Sequence, residues 1–211
     1  MKRLFDILFS VGGLLLLSPF FIFIAIIIIF ESKGGIFYKQ ERIGLNEKPF
    51  YLLKFRSMYM DSDQKGLLTV GMNDSRITKI GFFIRKYKID ELSQLINVLI
   101  GDMSLVGPRP EVRKYVENYS EIEKKVFKVK PGITDIASIF YFDENELLSQ
   151  AEFPEKYYKD IVLPQKLRLG ILYVENHSFF LDLKLILITI VAIFDKKKSL
   201  LFVSRILNII K

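Results

Sequence analysis

Residues 4–30, LFDILFSVGGLLLLSPFFIFIAIIIIF, carry one ionisable side chain, Asp6. A straight helix of this length reaches about 40 Å at ~1.5 Å per residue, more than the roughly 30 Å hydrocarbon core of a bilayer. Such a run has to be covered by protein or by lipid, and this constrains the chain more than any other feature. A secretory leader would share the basic start, Lys2 and Arg3, but no small-residue cleavage site follows and the run is too long. Ser18-Pro19 interrupts the run near its middle. Pro19 removes a backbone donor and crowds the preceding turn, and the Ser18 hydroxyl can serve a carbonyl that the break frees. Kinked transmembrane helices of this kind are ordinary. The charges favour another arrangement. Lys2 and Arg3 precede the run, while Lys33, Lys39, Arg42, Lys48, Lys54 and Arg56 follow it. Positive flanks prefer the cytoplasmic side, so two positive flanks place both ends there. The expectation is a re-entrant helix broken at Ser18-Pro19 over residues 1–31.

The other end differs. DKKKSLLFVSRILNIIK (195–211) is too short to span a bilayer. Its lysine cluster and one-sided polar residues suit either an amphipathic helix lying in the interface or a terminal helix packed on the protein's own core. The apolar stretch 179–194 reads as a buried or membrane-grazing helix. The organisation expected is an anchor (1–31), a compact cytosolic domain with membrane-associated helices (32–194) and a basic amphipathic tail (195–211).

The 211 residues suffice for one domain with a core plus the anchor. The chain lacks cysteine, so it has no disulfide framework, thiol nucleophile or Cys-based metal site. A single histidine, His177, excludes a multi-histidine metal cage and disfavours a Ser-His-Asp triad. Chemistry here would run on carboxylates, lysines, arginines and a hard cation. The formal net charge of +7 implies an anionic partner. The aromatic residues lie mainly in apolar runs rather than among basic ones, so a nucleic-acid binder is not expected.

The middle of the chain reads as mostly α with a small β-hairpin. Residues 36–43 and 49–56 alternate roughly by twos, and Gly44–Glu47 connects them. Residues 60–74 read as a polar loop, followed by a helix from a cap at Asp74 or Ser75 to about Lys86. Asp90 is expected to cap a helix ended by Gly101. Residues 111–129 and 144–176 look helical, and Gly107-Pro108-Arg109-Pro110 must be extended.

Asp90-Glu91 is the candidate reactive pair. Adjacent acids at a helix start usually have purely local reasons, and amide donors there would hold Asp90 ionised. The surroundings add to this. Arg85 lies five residues earlier, Arg109 sits in a rigid Pro-bracketed turn, and Lys54 and Arg56 share one face of a strand. Converging guanidinium groups clamp phosphate, a carboxylate can attack phosphorus, and Asp90 with Glu91 could hold Mg²⁺ beside substrate phosphates.

RKYKIDELSQLINVLIGDMSLVGPRP (85–110) closely resembles the signature of the bacterial sugar transferases, the monotopic phosphoglycosyl transferases. KRLFDILFSVGGLLLLSPF (2–20), YKQERIGLNEKPFYLLKFRSM (38–58), KPGIT (130–134) and YVENHSFFLDLKLILITI (173–190) resemble further blocks of that family, in order. The resemblance implies transfer of a sugar-1-phosphate from a nucleoside diphosphate sugar, usually UDP-linked, to polyprenyl (undecaprenyl) phosphate. It implies Asp90 as nucleophile, Glu91 with Mg²⁺, and Arg85 and Arg109 near phosphate, with Lys54 and Arg56 available to a diphosphate or lipid phosphate. It implies a re-entrant anchor, and a catalytic domain on the cytosolic face of the bacterial inner membrane. After KPGIT the family continues with a small-aromatic pair, where this chain has Asp135-Ile136. A catalytically silent membrane scaffold would be expected to have lost the acidic pair or the arginines, and all are present. The long helices are compatible with a homodimer, and nothing in the sequence specifies one.

Overall fold

The computed structural model describes residues 1–60, 62, 71 and 74–209. Most of the polar loop expected over 60–74, and the last two residues of the tail, lie outside the described residues. Helix α1 (Lys2–Glu31) runs unbroken with Pro19 inside it, so the expected break at Ser18-Pro19 is not an interruption of the helix. The reason is local. Pro19 has no N–H for the Leu15 carbonyl four residues back, and the Ser18 hydroxyl donates to that carbonyl instead, at 2.8 Å.

One face of α1 meets the rest of the protein along its whole length. Asp6 and Ser10 are buried in the first half, Ile24 and Ile28 in the second. Between them a side chain at Gly13 would meet Leu95, and the Phe21 and Phe55 rings stand 5.2 Å apart. These positions recur at intervals of three, four or their sums, the spacing of one helix face. The opposite face is apolar and bare: Leu15 is 71% exposed, Leu16 82% and Phe30 86%. The polarity is inverted relative to a helix of a water-soluble domain.

Strands β1 (Phe37–Ile43) and β2 (Pro49–Phe55) form the expected antiparallel hairpin, with Phe37 opposite Phe55 and Ile43 opposite Pro49. Asn46 and Glu47 in the connection take left-handed backbone. Helix α2 (Lys79–Lys86) begins later than expected. Its cap is Thr78, whose hydroxyl accepts from Gly81 N, because Asp74 is held by the Arg76 guanidinium. Then come a 3₁₀ turn (Ile89–Glu91) and helix α3 (Gln94–Ile100), ended as expected by Gly101 in left-handed conformation.

Strand β3 (Ser104–Val106) pairs in parallel with β4 (Gly132–Thr134). This second sheet was not anticipated, since three-residue strands carry too little alternation to read. Its geometry requires glycine. A Cβ on Gly107 would lie 2.2 Å from the Lys130 carbonyl oxygen, and one on Gly132 2.0 Å from the Gly107 nitrogen. Residues 111–129 are not one helix but α4 (Arg113–Val116) and a 3₁₀ segment (Glu123–Lys128). The Glu123 carboxylate accepts from Ser120 N at 2.7 Å, and the Ser120 hydroxyl accepts from Glu123 N. This reciprocal cap restarts the helix at that point.

Helix α5 (Ile136–Phe140) lies upstream of the stretch 144–176, which is likewise divided, into α6 (Glu144–Ser149), α7 (Pro154–Tyr157), a π turn (Tyr158–Val162) and α8 (Leu163–Asn176). Pro154 starts α7 at the position where a missing N–H costs nothing. Helix α9 (Phe179–Phe194) is capped by the Ser178 side chain. Helix α10 (Lys196–Ile209) packs on the body: Ser199, Val203 and Ile206 are buried, the last two in one cluster with Ile139, Leu185 and Ile188. One face of the tail is therefore packed on the body, and Leu200 and Leu201 are left exposed.

Candidate active site

Four segments converge on one cavity of about 760 Å³: the end of β2, the end of α2 with the 3₁₀ turn, the Gly107–Pro110 loop after β3, and the β4–α5 junction. Among the described residues its walls carry nine lysine or arginine side chains against four carboxylates. A cavity of that size and charge suits a polyanion larger than a free phosphate. Asp90, Glu91, Lys54, Arg56, Arg85 and Arg109 all line it.

The 3₁₀ turn turns its two acids to different surroundings. Lys88, just before it, adopts left-handed backbone at φ 56°, uncommon for a non-glycine residue, and this reverses the chain out of α2. Asp90 therefore does not cap α3; it lies one turn earlier and is 5% exposed. The Ser93 hydroxyl donates to the carbonyls of Leu53 and Asp90 and ties the turn to β2.

Glu91 is the centre of an ion cluster. Its Oε1 accepts from Arg109 Nη2 at 2.6 Å and Lys54 Nζ at 2.8 Å, and its Oε2 from Arg109 Nη1 at 3.2 Å. Burial works against its charge, but Arg109 and Lys54 outweigh it and hold the carboxyl well below the ordinary range. Arg109 is stabilised as a cation in return. Asp90 is the opposite case. Burial pushes its carboxyl above the ordinary value, the adjacent Glu91 charge adds to that, and Lys54, Arg85 and Lys88 only partly compensate. The expectation that helix-start amides would hold Asp90 ionised is thereby corrected: its carboxylate accepts no hydrogen bond from a described residue. Lys54 itself is pushed down by burial, with Glu91 opposing.

Arg85 leaves donors for a ligand. Its Nη1 reaches only Ser57 Oγ at 3.4 Å, and its buried Nε has no partner among the described residues. Arg56 has other work. Its guanidinium donates to the carbonyls of Gly35 at 2.9 Å and Gly34 at 2.6 Å, so it braces the loop after α1 rather than joining the Glu91 cluster. Ser18 and Pro19 are in α1, outside the cavity lining.

A second polar network braces the arginine loop and was missing from the sequence-derived site. Arg42 Nη1 donates to the Pro110 carbonyl at 3.0 Å and to Glu111 Oε2 at 3.3 Å. Tyr158 donates to Glu111 Oε1 at 2.6 Å, and Lys166 pairs with Glu144 at 2.6 Å. Arg42 falls inside a conspicuous motif and Glu111 directly follows one, whereas Tyr158 and Lys166 carry no local signal. Asp135, where the family pattern is departed from, caps α5 by accepting from Ser138 N at 2.6 Å and is pushed up by burial. His177 is exposed at the end of α8, away from the cavity.

Among the described residues no group of three or more His, Asp or Glu forms a ready cation cage. Mg²⁺ usually takes one or two carboxylates together with substrate phosphate oxygens. On the wall of this cavity Asp90 has free carboxylate oxygens and fits that donor set, whereas both Glu91 oxygens are taken by Arg109 and Lys54, so Glu91 would join it only by exchanging one of those partners for the cation.

The family model described as "Bacterial sugar transferase" matches residues 1–196. The chain is 40% identical over 190 residues to the "Uncharacterized sugar transferase EpsL" of Bacillus subtilis (strain 168), covering 90% of this chain and 85% of that protein. It is 38% identical over 202 residues to the "UDP-glucose:undecaprenyl-phosphate glucose-1-phosphate transferase" of Klebsiella pneumoniae, covering 94% of this chain but 41% of that longer protein. It is 35% identical over 206 residues to the "Exopolysaccharide production protein PSS" of Rhizobium leguminosarum bv. phaseoli, covering 94% and 98%.

Proposed function

The chain belongs to the bacterial sugar transferase family, and from that premise we propose that it moves a sugar-1-phosphate from a nucleoside diphosphate sugar, UDP-linked, to undecaprenyl phosphate in polysaccharide biosynthesis. The chemistry is phosphoglycosyl transfer through Asp90. One carboxylate oxygen of Asp90 attacks the sugar-bearing phosphorus, and the bond from that phosphorus to the bridging oxygen breaks. Nucleoside monophosphate, UMP for a UDP-sugar, leaves with the electron pair. An oxygen of the lipid phosphate then attacks the same phosphorus and Asp90 is released. The two displacements use one reaction centre in turn.

The observation that carries this is the contrast between the adjacent acids. Glu91 is fully engaged by Arg109 and Lys54, whereas Asp90 is buried and accepts no hydrogen bond from a described residue. A carboxylate with few hydrogen bonds is a stronger nucleophile than one held by two cations. Arg85 and Arg109 would bind the phosphates, with Lys54 neutralising charge between them. Asp90 would hold Mg²⁺ together with Glu91 once substrate phosphate takes over Lys54 or Arg109, and the cation would supply charge neutralisation between the anionic nucleophile and the anionic donor.

Membrane placement follows from α1. It is long and apolar enough to cross a bilayer by length and composition. Yet Lys2 donates to the Val106 carbonyl at 3.0 Å, and the Glu31 carboxylate accepts from Lys79 N and Ile80 N at the start of α2. Both ends of the helix touch the same body. That favours a shallow, monotopic anchor over a perpendicular crossing, and the positive residues flanking α1 favour the cytosolic face of the bacterial inner membrane for the body.

The test is intact-protein mass spectrometry of the full chain with Mg²⁺ and a panel of UDP-sugars, in wild type and Asp90→Asn. A gain of one sugar-phosphate in wild type alone supports the scheme and names the sugar. Lipid-linked product formed without any adduct, even under single-turnover conditions, replaces it with direct attack by the lipid phosphate.

A further inference from the structure

The cavity has a side that the donor chemistry does not use. Phe142, between α5 and α6, stands at its edge with Ile139 of α5 and Thr189 and Ile193 of α9. Two ammonium groups flank the Phe142 ring: Lys88 Nζ at 5.2 Å from the centroid and Lys196 Nζ at 5.6 Å. Lys196 is also paired with Asp143. Lys88 is in the strained residue two positions before Asp90, and its charge acts on both Asp90 and Glu91. Lys196 begins α10, the helix whose Val203 and Ile206 pack in one cluster with Ile139.

The outer face of α9 leads to this edge. Leu183, Leu187, Ile190 and Ile193 recur at helical spacing and all are exposed, Leu187 by 56% and Ile190 by 51%. A stripe of this kind has a natural cover in lipid. It ends where the two lysines stand. An apolar track ending in a pair of cations, one of them two residues from Asp90, matches an amphiphile with a long hydrocarbon chain and a terminal phosphate. Neither a soluble nucleotide nor a bulk phospholipid with a zwitterionic head has that combination.

We propose that the lipid-phosphate acceptor enters along the α9 stripe and past Phe142, with Lys88 and Lys196 receiving its phosphate at the cavity mouth. Lys88 and Lys196 are then acceptor-binding residues, and α10 holds one of them in place. The Asp143–Lys196 pair keeps Lys196 beside the ring until a phosphate competes for it. The proposal rests on the reading that a polyprenyl phosphate is the acceptor, and its test reads binding alone, without donor or turnover.

The experiment uses the full chain in nanodiscs of zwitterionic lipid and a fluorescent short-chain polyprenyl phosphate, with the matching polyprenol as control. Lys196→Ala and Lys88→Met are each expected to weaken binding of the phosphate about tenfold and leave polyprenol binding unchanged. Lys196→Arg is expected to restore it. Ile193→Asp, a change at an exposed position, is expected to weaken both ligands. Wild-type affinity for the phosphate in the lysine variants, with polyprenol binding also unaffected by Ile193→Asp, would overturn the proposal. Intact acceptor binding without any sugar-phosphate transfer from the donor panel would instead count against the reaction proposed above and leave the entry route standing.

Discussion

Asp90 and Glu91 are neighbours in sequence with opposite energetics. Asp90 is raised above its ordinary value of 3.8 by burial. The native state therefore binds that proton more tightly than the unfolded chain does, and the stability it contributes is fully present below 3.8 and lost as pH rises through the folded value. Ionising the group costs the fold stability, so Asp90→Asn is expected to raise the melting temperature at pH 7 while lowering turnover by ~10³-fold or more. The gain should shrink as the pH falls toward 4, which thermal scans across pH will read. Turnover in wild type should fall on acidification through the raised Asp90 value, since the attacking form is the carboxylate. Glu91 has the reverse sign: its folded value lies below 4.5, so its contribution is present above 4.5 and is lost on acidification through the depressed value. Glu91→Gln leaves two half-buried cations without their anion and is expected to cost about 1–3 kcal/mol, measurable by denaturant or thermal unfolding. Arg109→Lys keeps the charge but loses the two-pronged contact to Glu91, and a fall of roughly tenfold or more in kcat/KM is expected.

At the scale of elements, α1 shows how a proline is accommodated in an apolar helix. The Ser18 hydroxyl serves the Leu15 carbonyl that Pro19 leaves bare. Ser18→Ala removes that donor where lipid offers none, and is expected to destabilise the protein by about 1–3 kcal/mol, read by thermal unfolding in detergent or nanodiscs. The β3–β4 crossing is the other critical element. It carries the arginine loop, and a Cβ at Gly107 would collide with backbone. Gly107→Ala is expected to cost ~2 kcal/mol or more and to displace Arg109, so activity should fall further than stability alone explains. Elements with strong local patterns were legible in the sequence: the β1–β2 hairpin alternates by twos, and Gly101 ends α3 as a left-handed cap should. The helix over 111–129 was misread because Ser120 and Glu123 make a reciprocal cap within it.

Across the whole molecule, the anchor and the catalytic body are one packed object. Lys2 reaches Val106, Tyr173 and Asp182, and Asp6 accepts from Ser104 Oγ and Leu105 N, so the start of α1 is bonded to the strand that leads into the arginine loop. The basic residue at the start of α1 is therefore partly spent on the body itself. The sequence by itself determined the long apolar N-terminal run, the hairpin, the anionic ligand class and the short set of charged residues at the site. Each of these is a local property: hydropathy, a period of two, net charge, or a motif of fixed spacing. Tertiary structure alone decided that Glu91 is held by Arg109 and Lys54 while Asp90 accepts no hydrogen bond from a described residue, and that Arg56 braces a loop. It alone brought Tyr158 and Lys166 to Glu111 and Glu144 and closed the tail over α5 and α9. Those outcomes depend on which distant side chain arrives within hydrogen-bonding distance and on how much water is excluded when it does. Neither is encoded in the spacing of neighbours along the chain.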